Sequence, residues 1–295
     1  MMRLVLALMW VLHFLPLRAL GATGRTLGRA LYVFARERRA VALTNLQLCF
    51  PDLDAAARAE LARRHFQALG RSFLERGLLW WASRERIERL VRFEAIEHFQ
   101  ALQGRPVILF APHFVGMEMG GTRVQIEYTV VTIYSRQKHQ LFDAVLLRGR
   151  TRFAREPIYS RQDGIRPIIR ALRKGLALYY LPDMDFGLRD AVFAPFFGVR
   201  AATVTALSRM AAIAGAAVVP CITRQLPGDQ GYEVRFYPKW EDFPSADATA
   251  DVRRMNAFIE ERVREMPEQY YWVHKRFKTR PHGERSPYEQ HATAD

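Results

Sequence analysis

The stretch Pro106-Val-Ile-Leu-Phe-Ala111 constrains this 295-residue chain more than any other. It is short, β-branched at its centre and bounded by Gly104 and Pro112. That is the pattern of a strand buried on both faces of a parallel sheet. Further strands are expected at residues 128–134, 157–159, 176–181, 217–223 and 232–237. Helices are expected between them, at residues 142–153, 165–173, 203–214 and 252–266. Upstream, residues 53–92 read as helices with Leu61, Phe66, Leu69, Phe73, Leu78 and Leu79 roughly on one face, and Trp80-Trp81 is expected to dock on the sheet or on lipid. Such alternation indicates an α/β fold: a mostly parallel central sheet flanked by helices on both faces.

The strand at 106–111 runs directly into Pro112-His113-Phe-Val-Gly-Met-Glu118. His113 then sits at the C-terminal tip of a sheet strand, where open α/β sheets bind ligands. On one straight helix His113 and Glu118 would lie roughly 140° apart, at about 3.6 residues per turn. If His113 lies in the loop and Gly116 starts the next helix, Glu118 falls in its first turn. It can then accept from a ring nitrogen and orient the imidazole to take a proton from a hydroxyl.

Composition narrows the classes. At 295 residues and 49% hydrophobic content, the chain can bury one large α/β core, or a core plus a helical N-terminal element. No linker or solenoid repeat divides it; only the tail after Arg280 looks loose. Cys49 and Cys221 lie far apart in apolar surroundings and read as buried thiols of a reducing compartment, with no nucleophile motif around either. The chain carries 44 basic against 30 acidic residues, a net charge of +14. Nearly all of the basic residues are arginine, whose fork suits phosphates, carboxylates and anionic surfaces. A GC-rich genome accounts for part of the preference over lysine, but not for the sign.

Residues 4–17 are apolar apart from His13 and include Trp10, Phe14 and Pro16. As a helix they would reach roughly 21 Å, short of the roughly 30 Å hydrocarbon core of a bilayer. A full span requires residues 20–31 as an extension. A cleaved signal peptide fits poorly, because Arg3 is its only basic lead residue. A buried core helix is the bland alternative. The expected reading is an uncleaved anchor helix lying in or dipping into the membrane, with Arg36-Glu-Arg-Arg39 and the basic body on the cytoplasmic side.

Five segments together resemble one family. They are Ala42-Leu-Thr-Asn45-Leu-Gln-Leu-Cys-Phe50-Pro51, the His113/Glu118 stretch, and Tyr180-Leu-Pro-Asp183-Met-Asp185-Phe-Gly187 with Val192-Phe-Ala-Pro-Phe-Phe-Gly198. The others are Ala201-Ala-Thr-Val-Thr205 leading to Ala214-Gly-Ala-Ala-Val-Val-Pro220, and Pro267-Glu-Gln-Tyr-Tyr-Trp272-Val-His-Lys-Arg276-Phe-Lys-Thr-Arg280-Pro281. In order and spacing, from about residue 1 to Tyr288, the chain resembles the late acyltransferases of bacterial lipid A biosynthesis, the lauroyl/myristoyl branch of the H-x4-D/E acyltransferases. It departs from their pattern at Met184.

The resemblance implies a glycerolipid-acyltransferase-like fold, with an N-terminal anchor at 1–35, an acyltransferase domain at 36–288 and a flexible tail at 289–295. It implies transfer of an acyl chain from acyl carrier protein to a hydroxyl of a lipid A precursor, at the cytoplasmic face of the inner membrane, without cofactor or metal. In this reading His113 is the base, Glu118 holds its tautomer, and Arg150 holds a phosphate or the developing oxyanion. Arg152, Arg161, Asp183 and Asp185 are expected to bind substrate, with Asp183 also positioning an arginine or the His113 loop. An acceptor other than lipid A, another membrane glycolipid or a lysolipid, stays open. Two rivals belong to other classes: a glycosyltransferase with a divalent metal on Asp183 and Asp185, and a non-catalytic basic module on nucleic acid or membrane. No helix-turn-helix, zinc-finger or RNA-recognition signature supports nucleic acid as a partner.

Overall fold

A computed structural model describes residues 2–137 and 139–289. The expected tail falls almost wholly outside the described residues. Three helices open the chain: α1 (Met2–Leu12), α2 (Leu17–Phe34) and α3 (Arg36–Cys49). The apolar N-terminal segment is not one helix, because it breaks at residues 13–16 and α2 restarts after Pro16, which has no N–H to continue the ladder. Among the described residues no helix is long and apolar enough to cross a membrane, so the extended full span does not form.

The long α4 (Ala55–Trp81) starts where the Asp54 carboxylate accepts from the Ala57 N–H at 2.7 Å. It packs on α2 with backbones nearly touching. A Cβ at Gly28 would stand 2.2 Å from the Phe66 carbonyl oxygen, and one at Gly70 would stand 2.5 Å from that of Gly24. Only glycine fits there. Met9 of α1 and Leu20 of α2 are buried in one cluster with Leu74 and Leu78 of α4. Trp80 is buried in the cluster that also holds Val107 and Leu109 of the sheet. It packs on Gly149, whose lack of a side chain opens the slot, and its ring meets Phe142 edge-on.

Next come α5 (Arg84–Leu90), β1 (Val91–Glu94), α6 (Glu97–Gln100), β2 (Val107–Phe110), α7 (Met117–Glu127), β3 (Val130–Tyr134) and α8 (Gln140–Thr151). They are followed by β4 (Tyr159–Ser160), α9 (Arg166–Arg173), β5 (Ala177–Tyr180), β6 (Ala191–Phe196), β7 (Val199–Val204), α10 (Ala206–Ala214), β8 (Ala217–Gln225), β9 (Tyr232–Phe236) and α11 (Ala248–Glu265). Seven of these strands form one sheet in the order β1-β9-β8-β2-β5-β3-β4, every neighbouring pair parallel except β8 with β9. The α/β architecture with a mostly parallel sheet is therefore as expected. Residues 199–204 differ: the expected helix from 203 begins only at 206, because β6 and β7 form an antiparallel hairpin outside the main sheet.

Strand β2 is buried along its whole length at the centre of the sheet. Its side chains alternate between two cores, as the two-residue period of a strand requires. Val107 and Leu109 share a cluster with Met119 and Val124 of α7 and Leu146 of α8. Ile108 and Phe110 share the other with Leu172 of α9, Met210 of α10 and Ile259 of α11. Cys49 and Cys221 are buried and free, as their surroundings suggested.

Candidate active site

Two parallel neighbours, β2 and β5, carry the site at their C-terminal ends. Phe110 pairs with Tyr180 in register, and the Ala111 N–H donates to the Tyr180 carbonyl at 2.8 Å. Each strand then ends in a proline followed by a polar residue, Pro112-His113 and Pro182-Asp183. Both polar residues stand three positions past the paired ends, so the register brings them level. His113 Nδ1–H donates to Asp183 Oδ1 at 2.7 Å, and the His113 backbone N–H lies 3.1 and 3.0 Å from the two carboxylate oxygens. The Tyr270 hydroxyl donates to Asp183 Oδ2 at 3.1 Å.

Asp183 is completely buried. Burial pushes its carboxyl up, but the charge of His113 and its hydrogen bonds outweigh that and hold it below the usual carboxylate range. An ionised carboxylate only accepts, so the neutral ring carries its hydrogen on Nδ1 and presents a free Nε2 lone pair. The His113 side chain is 15% exposed and faces a cavity of about 800 Å³.

This arrangement corrects the expected partner. Gly116 does cap α7, and Glu118 does fall in its first turn. Glu118, however, pairs with Arg150 of α8, whose Nε donates to Oε2 at 3.1 Å and whose Nη2 donates to Oε1. Burial raises the Glu118 carboxyl, and the adjacent Arg150 charge and hydrogen bonds bring it down to about 2. The imidazole is oriented by Asp183, 70 residues away, because strand register puts a carboxylate closer to the ring than the first helical turn can. Glu118 and Arg150 line the same cavity as His113 and make a second, adjacent ion pair there. Arg150 Nη1 makes no hydrogen bond among the described residues and is free to meet an anionic oxygen.

The Glu118–Arg150 pair has a pH consequence. A carboxyl whose folded value lies below its unfolded one stabilises the fold fully above the unfolded value, and the benefit is lost as pH falls. Wild-type stability should therefore drop between pH of about 4.5 and about 2 through this pair, and Glu118→Gln should flatten that part of a denaturation-versus-pH curve. An unchanged slope in the variant would show that the pair adds nothing to the fold.

The remaining expected residues divide. Arg161 lines the cavity, with its guanidinium 4.0 Å from the Phe186 ring centroid. Arg152 turns away, stacking on Phe153 and donating to the Leu79 carbonyl at 3.3 Å. It fastens α8 to α4 and does not line the cavity beside His113. Asp183 and Asp185, expected to bind substrate, are buried, and their oxygens accept hydrogen bonds from within the fold. Asp185 accepts from the Thr279 N–H at 2.7 Å, the Thr279 hydroxyl at 2.8 Å and the Gly187 N–H at 2.9 Å. The two carboxylates serve different neighbours, so they do not converge as a nucleotide-sugar metal site requires. The expectation that Asp183 positions the His113 loop does match the geometry.

The segment after α11 supports both site loops, and the sequence offered no role for its individual residues. The Tyr271 N–H donates to the His113 carbonyl at 3.0 Å, and the Val115 N–H to the Gln269 carbonyl at 2.8 Å. The Asp185 N–H donates to His274 Nε2 at 3.0 Å. Asn45 of α3 anchors this segment in turn, its side-chain amide donating to the carbonyls of Trp272 and His274, both at 2.7 Å, while Tyr288 donates to its oxygen. A buried asparagine amid an apolar helix face was the available signal, since such a group needs partners.

Fold and site together define an α/β protein with a histidine–aspartate pair on the carboxyl edge of its sheet, open to a cavity large enough for an elongated substrate. The chain belongs to the bacterial lipid A biosynthesis acyltransferase family, whose model matches residues 1–279. It is 32% identical over 286 residues to the lipid A biosynthesis lauroyltransferase of Escherichia coli (strain K12), covering 96% of this chain and 93% of that one. Its identity to the palmitoleoyltransferase of the same organism is also 32%, over 96% and 92% of the two chains. For the myristoyltransferase the figure is 30%, over 92% and 83%. Among solved structures it is similar to the 1-acyl-sn-glycerophosphate (LPA) acyltransferase PlsC from Thermotoga maritima, with 16% identity and a TM-score of 0.38, covering 78% of this chain and 98% of that one. That likeness is too remote to bear on the site.

Proposed function

We propose that this protein transfers a fatty acyl chain from acyl carrier protein to a hydroxyl of a lipid A precursor, at the cytoplasmic face of the inner membrane. The observation that carries the reading is the His113–Asp183 pair opening on the large cavity in a chain of this family. His113 Nε2 takes the acceptor's hydroxyl proton as that oxygen attacks the thioester carbonyl. Asp183 holds the ring and stabilises the imidazolium. The carbonyl oxygen gains negative charge as the carbon becomes tetrahedral, and Arg150, which lines the same cavity as His113, offers its Nη1 to that oxygen. Collapse breaks the carbon–sulfur bond, and the imidazolium proton goes to the departing thiolate. Both cysteines are buried and their thiols pushed up by burial, which favours direct transfer over a cysteine-bound acyl intermediate. No metal or cofactor has a task in this sequence of steps.

Two measurements test the reading. Purified protein, given acyl carrier thioester and lipid A precursor, should transfer in the presence of EDTA, and mass spectrometry of lipid A from a deletion strain should lack one secondary acyl chain. Strict dependence on added Mg²⁺ or Mn²⁺, or lipid A of unchanged mass, would overturn it.

Membrane attachment is proposed from the first two helices. Leu4, Leu8, Trp10, Val11 and Phe14 are exposed on and just after α1, and Val33 and Phe34 at the end of α2. Apolar side chains gathered this way suit an interfacial helix that lies in the headgroup region. The triple variant Leu4→Ser, Leu8→Ser and Phe14→Ser should shift protein from the membrane pellet to the soluble fraction without loss of melting temperature, because none of the three is buried. Equal sedimentation of wild type and variant would count against the anchor. The net charge of +14 adds attraction to anionic lipid and to an acidic carrier protein.

A further inference from the structure

Helix α9 carries an unmatched row of cations. Arg166, Arg170 and Arg173 stand at i, i+4 and i+7, and all three are exposed, as is Lys174 after them. From Gly164 to Pro182 the chain has no acidic residue. Among the described residues none of the four cations pairs with a carboxylate. Exposed arginines on other helices are matched on their own helix: Arg63 with Glu60 of α4 at 3.1 Å, Arg84 with Glu88 of α5 at 2.8 Å, and Arg264 with Glu260 of α11 at 3.3 Å.

Helix stability does not account for the row. A cation in the last turn meets the negative end of the helix dipole, which suits Arg170 and Arg173. Arg166 instead opens the helix at its positive end, with no acidic residue in that first turn. The inner face holds α9 to the sheet, with Ile168, Ile169 and Leu172 buried in one cluster with Ile108 and Phe110 of β2. Its N-terminal end reaches the site. Ile165 and Ile168 line the cavity beside His113, and Ile165 is also 36% exposed, so the cavity meets the surface next to Arg166. At the other end, Arg173 Nη2 donates to the Ile213 carbonyl of α10 at 2.8 Å, and Ile213 is 44% exposed. The result is a basic row flanked by two exposed isoleucines, with one end at an opening of the cavity.

We propose that the exposed face of α9, with Ile213 of α10 beside it, docks the acyl carrier protein and aims its thioester arm into the cavity. This rests on the acyl-transfer reading above, which makes an acidic carrier protein the donor. Carboxylates on the carrier match the row of cations, the flanking isoleucines supply apolar contact, and the arm enters next to Arg166. A bilayer is the weaker match for this face. Most of the exposed apolar side chains of the first two helices sit on α1, whose Met9 is buried in the cluster with Val107 and Leu109. Those two residues point from β2 to the face opposite Ile108 and Phe110. A membrane that takes up α1 and a protein docked on α9 therefore meet the molecule on different faces of the sheet.

The test measures binding of the dodecanoyl thioester of acyl carrier protein to the full chain, in wild type and in two double variants with wild-type melting curves. Arg166→Glu/Arg170→Glu reverses the row and leaves Arg173, which ties α9 to α10, in place. Arg64→Glu/Arg89→Glu makes the same change of net charge at exposed positions on α4 and α5. The α9 variant should bind the carrier about tenfold more weakly, on the scale by which a local field changes association, and the control should stay close to wild type. Sedimentation with phosphatidylglycerol vesicles should be alike for wild type and the α9 variant. Should charge reversal prevent folding, Arg166→Gln/Arg170→Gln is expected to give the same ordering with a smaller loss. Equal loss in both variants, or no loss in the α9 variant, overturns the docking surface. So does an α9 variant that keeps the carrier and loses the vesicles, which assigns the row to lipid. In each of these cases wild type still binds the carrier and the acyl-transfer reading stands. Folded wild type that neither binds the carrier thioester nor transfers from it removes that reading, and the surface with it.

Discussion

His113→Ala is expected to lower acyl transfer by about 10²- to 10⁴-fold, the usual contribution of a positioned acid–base group. The variant should fold, because the ring is partly exposed to the cavity and the backbone N–H that holds the loop to Asp183 is kept. The loss should fall on kcat more than on KM, since the proton moves only in the transition state. Single-turnover rates on protein with a wild-type melting curve decide it. A rate within a factor of a few of wild type would remove His113 from the chemistry.

Asp183→Asn is expected to cost as much, about 10²- to 10⁴-fold, although Asp183 is completely buried. The neutral amide keeps the volume but cannot stabilise an imidazolium, and its NH₂ can turn toward Nδ1 and favour the wrong tautomer. Glu118→Gln separates the two carboxylates. It breaks the pair with Arg150 and should lower transfer, but it leaves the His113–Asp183 bond in place, so its loss of kcat should be smaller than that of Asp183→Asn. If Glu118→Gln abolishes turnover and Asp183→Asn leaves it near wild type, the orienting carboxylate is Glu118 of α7 and not Asp183.

Much of this molecule is legible in the order of its residues. The runs at 107–110, 130–134, 177–180, 217–225 and 232–236 are short, apolar and punctuated by glycine, proline or helical patterns, so strand and parallel sheet follow from periodicity. The hairpin at residues 191–204 was missed because its two strands pair only with each other and carry Pro195 and a tight turn through Phe197-Gly198, both at positive φ. That is not the pattern of a buried sheet strand. The kink at Pro16 likewise divides a hydrophobic stretch that hydropathy alone reads as continuous.

The same division runs through the site. Sequence by itself determined that His113 ends a central strand, that Glu118 opens the following helix, and that a carboxylate, Asp183, ends another strand in the same Pro-polar pattern. These are local facts, set by side-chain period and by where proline and glycine interrupt it. Only the tertiary structure decided which carboxylate meets the imidazole. That choice depends on β2 and β5 being neighbours with Phe110 opposite Tyr180, a long-range register that no local spacing encodes. It also decided that Tyr270 backs Asp183, that Arg150 is held by Glu118, and that Arg152 faces away. Each of these follows from the direction in which a packed element presents one face, and that direction is set by the elements packed against it.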